Sequence, residues 1–282
     1  MRLYAEDVTL AYDDQHVIAK NLSLTIPDGQ ISVLIGPNGS GKSTALRALA
    51  RLLPPRAGRV VLDGQSIGDV PTREVAQRLA ILPQVLLTPE GITVEDLVRF
   101  GRHPHRTTLK RPADEDIAAV EWALEVTNTA ILRDQNVDAL SGGQRQRVWI
   151  AVCLAQGTDL LLLDEPTTYL DVGYQLEVLD LLADLNQSQG KTIAMVLHDF
   201  NMAAEYADHI FVLSQGQVVA EGPPAAVFTP ALLRAVFDIE SRITPHPVSG
   251  KPMCIPIRHR YLAAACGDPG ASLPPAQSAT SP

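Results

Sequence analysis

The chain runs from Ile31-Ser32-Val33-Leu34-Ile35 straight into Gly36-Pro37-Asn38-Gly39-Ser40-Gly41-Lys42-Ser43, and then into helical spacing over residues 44–53. A short, continuously apolar segment of this kind fits a strand covered on both faces. The octapeptide satisfies G-x-x-x-x-G-K-[ST] between strand and helix, the context a phosphate-binding loop requires. Its glycines let the backbone curl so that several N–H groups point inward at a β-phosphate. The positive end of the following helix adds to that field. Lys42 can reach the β- and γ-phosphates, the Ser43 hydroxyl can bind Mg2+, and Gly36 through Thr44 form the expected ATP-binding set.

Working outward, Leu160–Leu163 and residues 192–197 have the same buried-strand character. The first ends in Asp164-Glu165 and the second in His198. Open α/β sheets bind ligands at the carboxyl ends of their strands, so these side chains are expected to face the phosphates. Asp164 is the natural magnesium partner, and Glu165 is placed to orient or deprotonate an attacking water. The competing reading is an ordinary acidic turn before Pro166, which the upstream phosphate loop makes less economical. Before the loop, Val8, Leu10 and Tyr12 and then Leu22, Leu24 and Ile26 alternate with polar residues, as half-buried antiparallel strands do. Ile117, Val120 and Leu124 predict one helical stripe, with Asp114, Glu115 and Asp116 at its positive end. Leu176, Leu179, Leu182 and Leu185 predict another, and about residues 88–143 read as a helical insertion.

Composition narrows the class. With 282 residues, 46% hydrophobic and 20% charged, the chain can bury a full core. A net charge of -9 argues against nucleic acid as the main partner. The scattered Cys153, Cys254 and Cys266 have no metal-ligand spacing and read as reduced thiols. No apolar N-terminal run suggests a signal peptide, and no apolar stretch is long enough to span a bilayer. Residues 262–282 are rich in Ala, Pro, Ser and Gly and are expected to form a disordered tail.

Leu140-Ser141-Gly142-Gly143-Gln144, followed by Arg145-Gln146-Arg147, decides between nucleotide-binding classes. Physically it is a second anion site: Ser141 caps a helix running through Val148, Val152 and Ala155, and paired glycines admit a phosphate closely. Asp138 competes for the cap position. The string resembles the signature of ABC ATPases, and the resemblance extends over about residues 3–257. It implies an α/β P-loop NTPase with a RecA-like parallel-sheet core, an N-terminal antiparallel β-subdomain and a helical subdomain. Residues 1–240 would form that domain, 241–261 a C-terminal extension with a short strand. It also implies a homodimer in which Ser141, Gly142, Gly143 and Gln144 face the ATP of the other subunit. Gln84 resembles the Q-loop glutamine that contacts Mg2+ and water, and His198 the switch histidine at the γ-phosphate. Asp171 resembles the D-loop acid, and Tyr12 the aromatic that stacks on adenine, its alternative being a core tyrosine at a strand end.

Three further strings are similar to the ATPases of ferric-siderophore importers, whose relatives import cobalamin and haem. They are Thr167-Thr168-Tyr169-Leu170-Asp171, Val196-Leu197-His198-Asp199 and Gly101-Arg102-His103-Pro104-His105. That resemblance implies polytopic permease subunits as partners, a substrate-binding protein acting indirectly, and a peripheral position on the cytoplasmic face of the membrane. Tyr174 stands where such sequences would carry histidine, a departure expected to touch no catalytic role. Gly101 to His105 reads as a solvated loop, since no carboxylate or cysteine nearby completes a metal site around its histidines. Residues 85–105 are expected beside the groove that receives a permease helix. A GTPase switch is a poor rival, because no Asn-Lys-x-Asp string is present to read guanine. A non-transport ABC protein usually carries two cassettes or a long coiled-coil insertion, and neither is visible.

Overall fold

The computed structural model describes residues 1–13, 16–86, 88–106, 113–168 and 170–257. The expected tail and Tyr169 lie outside them. Strands β1 (Leu3–Ala11), β2 (Val17–Ile26), β4 (Ala57–Leu62) and β5 (Gln65–Ser66) form one sheet in the order β2-β1-β4-β5. Its pairings are antiparallel, with Leu3 opposite Ile26 and Leu62. The second sheet has the order β10-β9-β3-β8-β7-β6. There β3 (Ile31–Ile35) pairs in parallel with both β8 (Thr192–Val196) and β9 (His209–Ser214). β7 (Leu160–Leu163) joins β8 to β6 (Leu79–Leu82), also in parallel. Only β10 (Gln217–Gly222) runs antiparallel, at the edge.

Every residue of β3, β7 and β8 is buried, because this sheet separates two cores. Side chains alternate across the pleat. Val33, Ile35, Leu161, Leu163, Ile193 and Met195 therefore enter the core shared with the helices. Leu34, Leu160, Leu162, Ala194 and Val196 enter the core shared with β1, β2 and α1 (Lys42–Leu49). Two covered faces explain why these strands read as unbroken apolar runs, whereas β2 alternates.

The insertion contains α3 (Val94–Phe100), α4 (Asp114–Val126), two short 3-10 turns and the start of α5 (Gly142–Ala155). α2 (Thr72–Arg78) precedes β6, α6 (Val172–Gln189) follows β7, and α7 (Phe200–Tyr206) follows β8. Two predicted stripes need correction at their first members. In α4 the buried face is Val120, Ala123 and Leu124, while Ile117 is exposed and edges a small groove beside Arg99 and Arg102. In α6 it is Val178, Leu179, Leu182 and Leu185, and Leu176 in the first turn is exposed. Helix α1 also stops short of residue 53, because the chain reverses through Arg51 at φ 61°. After α8 (Pro224–Val227) and α9 (Pro230–Phe237), the C-terminal segment is a hairpin, β11 (Ser241–Pro245) with β12 (Pro252–Pro256), rather than one strand. It docks on α7, where the Asn201 amide donates to Cys254 O at 3.3 Å and accepts from Cys254 N at 2.7 Å.

Candidate active site

The parallel register brings four strand ends to one edge. Leu34 lies beside Val196, Met195 beside Leu163, and Leu163 beside Leu82. The residues that follow them, Gly36 onward, His198, Asp164-Glu165 and Gln84, therefore emerge together. A Cβ on Gly36 would fall 2.2 Å from Leu213 O and 2.6 Å from Ser40 Oγ, so the loop presses against β9 and excludes any side chain. Gly39 and Gly41 adopt φ of 77° and 98°, which reverse the chain into α1. Ser40 N donates to Pro37 O at 3.1 Å, closing the curl.

Lys42 Nζ donates to the carbonyls of Gly36 and Pro37 at 2.9 and 3.0 Å, holding the ammonium inside the loop. Burial pushes its pKa below the usual lysine range, against the opposing pull of Glu165 and Asp164. Ser43 Oγ donates to Asp164 Oδ1 at 2.7 Å. Asp164 is 1% exposed, and its Oδ2 has no hydrogen-bond partner, only the Arg47 guanidinium 3.9 Å away. Burial raises its pKa, and the Ser43 hydrogen bond offsets only part of that.

Glu165 is a different kind of carboxylate. Its φ of 57° is unusual for a residue with a side chain, the sort of local strain that concentrates at functional sites. His198 Nε2 lies 3.0 Å from Oε1, and Thr168 Oγ1 donates to Oε2 at 2.9 Å. Burial pushes the carboxyl pKa upward, but hydrogen bonds from His198, Thr168 and Gln84, with the His198 charge, outweigh it and keep it below the usual range. Glu165 and His198 face Lys42, Ser43 and Thr44 across a cleft of about 310 Å³. Ile18 of β2 lines the same cleft and would touch a Cβ on Gly41 at 3.4 Å. Sequence reasoning passed over Ile18, because only the tertiary packing of β2 brings it to the loop.

The other expected residues are distributed. Tyr12 sits just past β1, 54% exposed, with its hydroxyl 3.4 Å from Thr44 Oγ1 and accepting from Arg47 at 3.3 Å. It is tethered to α1 and is not a core tyrosine. Ser141 and Gln144 form a reciprocal cap on α5: Gln144 N donates to Ser141 Oγ at 3.3 Å, and Ser141 N to Gln144 Oε1 at 3.0 Å. Asp138 instead accepts from Gly91 N at 3.2 Å. No signature residue lines the cleft. Asp171 caps α6 by accepting from Tyr174 N at 3.0 Å.

Gly101 to His105 is not a solvated loop. Arg102 donates to Ala155 O at 2.9 Å and pairs with Asp116 at 2.8 Å, and His105 Nε2 lies 2.7 Å from Gln156 O. The segment caps the C-terminal end of α5. Among the described residues, no helix is long and apolar enough to cross a membrane.

Known proteins repeat this arrangement. The family described as ABC transporter matches residues 19–168. The achromobactin transport ATP-binding protein CbrD of Dickeya dadantii is 51% identical, over 89% of this chain and 93% of its own length. The iron(3+)-hydroxamate import ATP-binding protein FhuC of Bacillus subtilis is 48% identical, over 90% and 94%. Among solved structures, a metal-chelate type ABC transporter in an inward-facing conformation superposes with a TM-score of 0.78 at 29% identity, covering 92% of this chain and 98% of the other. A dimeric ATP-binding cassette in a post-hydrolysis state with ADP and Pi gives 0.69 at 28% identity, over 78% and 98%. The family match and relatives near 50% identity over most of both chains show that the chain belongs to the ABC transporter family as one of its ATP-hydrolysing cassettes.

Proposed function

We propose that this cassette powers import of iron(III)–siderophore complexes, two copies working on the cytoplasmic face of the membrane beneath polytopic permease subunits. A substrate-binding protein would deliver cargo to the permease and touch this chain only indirectly. Residues 1–240 serve as the ATPase domain, residues 88–143 as its helical subdomain, and the 241–261 segment as an appendage. Nucleic acid has no role in this reading. The cargo assignment rests on relatives that transport achromobactin and iron(3+)-hydroxamate. Haem, cobalamin and metal ions are the alternative cargoes, and a non-transport ABC ATPase is the remaining rival.

The observation that carries the mechanism is the pairing of Glu165 with His198 at 3.0 Å, across the cleft from Lys42. An ionised, hydrogen-bonded Glu165 orients water for in-line attack on the γ-phosphate and accepts its proton. His198 holds that carboxylate and contacts the γ-phosphate, and Lys42 transfers from the loop carbonyls to the phosphates. Tyr12, tethered to Thr44, would stack on adenine, and Ile18 lines the cleft itself. The donors fit Mg2+: hard oxygens from Ser43 and Asp164, with Asp164 Oδ2 buried and unpartnered and the Gln84 amide close by. When bound, the ion would neutralise charge developing on the phosphate oxygens. Ser141 to Gln144 of the second copy close over the same γ-phosphate, and Asp171 joins the two sites.

Glu165→Gln tests this. It keeps ATP binding, loses about 100-fold or more of turnover and accumulates an ATP-bound dimer, whereas Lys42→Ala loses nucleotide binding itself. Near-normal turnover in Glu165→Gln moves the base role elsewhere, and failure of nucleotide to pair protomers removes the motor reading. Uptake of radioactive iron as a ferric hydroxamate, compared with haem and cobalamin, by cells with and without the chain separates the cargoes.

A further inference from the structure

Tyr174 sits at a junction between two helices that carry proposed site residues. A Cβ on Gly143, the second glycine of the signature, would meet the Tyr174 ring at 3.2 to 3.5 Å, so the glycine lies directly on the ring. The Arg147 guanidinium covers the same ring, 5.1 Å from its centroid, and is itself held by Glu177 at 2.8 Å. Tyr174 and Glu177 belong to α6, whereas Gly143 and Arg147 belong to α5. The backbone of Tyr174 makes a second link, because its N–H is the donor that Asp171 accepts in capping α6.

We infer that Tyr174 is a positioning residue for ATP hydrolysis, its ring fixing the signature glycines relative to Asp171 within one protomer. Ser141 caps α5 and Asp171 caps α6, the first proposed to face the nucleotide of the second copy and the second to join the two sites. Each sits at a helix N-terminus that would otherwise be free to shift against the other. The ring removes that freedom: Gly143 and Arg147, one turn apart on α5, both rest against it. The two elements then approach the opposite protomer as one surface of fixed geometry. A displacement on the order of 1 Å of such groups costs about 100-fold in rate. The inference rests on the roles proposed for Ser141 and Asp171, and its test is built to fail separately from them.

The test uses the full chain and follows ATP binding to the isolated protomer, steady-state turnover, and ATP-driven dimerisation in the Glu165→Gln background. Tyr174→Ala is expected to leave protomer binding of ATP and KM within about twofold, to lower kcat by about tenfold or more, and to weaken the trapped dimer. Tyr174→Phe keeps the ring, and the hydroxyl makes no hydrogen bond among the described residues, so it returns kcat to within about twofold of the parent. Assayed well below the melting temperature of Tyr174→Ala, a helix that had simply lost stability would lose ATP binding along with turnover, without this split. Ser141→Ala serves as the reference. If it abolishes turnover while Tyr174→Ala keeps the parental kcat, the positioning role is wrong and the proposed function stands. If Tyr174→Phe falls as far as Tyr174→Ala, the ring is not the seat and the inference is overturned. If Ser141→Ala and Tyr174→Ala both hydrolyse and dimerise normally, the proposed function fails with it.

Discussion

Arg102→Met removes a guanidinium that joins three segments. Its Nε pairs with Asp116 of α4 at 2.8 Å, and its Nη1 donates to the last carbonyls of α5, Ala155 at 2.9 Å and Gln156 at 3.5 Å. Both partners of the ion pair are only 12% exposed, so solvent repairs little of the damage. Methionine keeps an unbranched stem of similar length, which leaves the Asp116 carboxylate without its cation and the Ala155 carbonyl without its side-chain donor, while Gln156 O keeps His105. Breaking a buried pair from one side costs about 3 kcal/mol. Because the other pair member is still charged, pH offers a second readout. Burial pushes the Asp116 pKa upward, but the Arg102 hydrogen bond and charge outweigh it and set it below its ordinary 3.8. A depressed carboxylate gives stability that is fully present above its unfolded value and is lost as pH falls through the folded one. The penalty should therefore be complete at pH 7 and shrink under acid below 3.8. Urea titration followed by circular dichroism, with unchanged slope, measures it, and the melting temperature drops by about 6 to 12 °C. In the double variant with Asp116→Asn, the orphaned charge is gone and the loss is smaller than the sum by about 1 to 2 kcal/mol. A single-variant cost under about 1 kcal/mol, or strict additivity, would refute the buried-pair reasoning.

Gly36→Ala forces a methyl to within 2.2 Å of Leu213 O, so the loop must move. ATP affinity should fall at least about tenfold with far-ultraviolet dichroism unchanged, and retained affinity would contradict the packing. In EDTA and without nucleotide, Asp164→Asn should stabilise the fold at pH 7, since burial raises this carboxyl above 3.8 and penalises its ionised form. The sign is opposite to that of Asp116: the gain fades as pH falls toward 3.8, and a less stable variant at pH 7 would reverse the assignment. Asn201→Leu deletes both amide contacts to Cys254 and should free the β11–β12 hairpin at a cost of about 2 kcal/mol. Hydrogen exchange over residues 241–256 then rises while β3 and β8 stay protected, and unchanged protection of the hairpin would exclude the anchor.

The phosphate loop, the acids after β7 and the histidine after β8 were legible because each is a local string with one chemical use. Strand burial on two faces, the alternation of β2 and the Ser141 cap obey short periods that survive without any partner. What the sequence could not hold is distance across the fold. Ile117 and Leu176 have helical spacing but lie near helix starts, where they stay 49% and 38% exposed. Arg102 and His105 look like solvated cations until α5 brings its terminal carbonyls to them, and Tyr174 looks like a tolerated substitution until Gly143 rests on its ring. Glu165 and Asp164 are neighbours in the chain with opposite pKa shifts, because one finds donors from His198 and Thr168 and the other is buried with an oxygen unpaired. Residue type and spacing thus pointed to the candidate groups for the chemistry. The packing of β6, β7 and β8 in parallel register decided their surroundings, since desolvation and hydrogen bonding depend on neighbours far away in sequence.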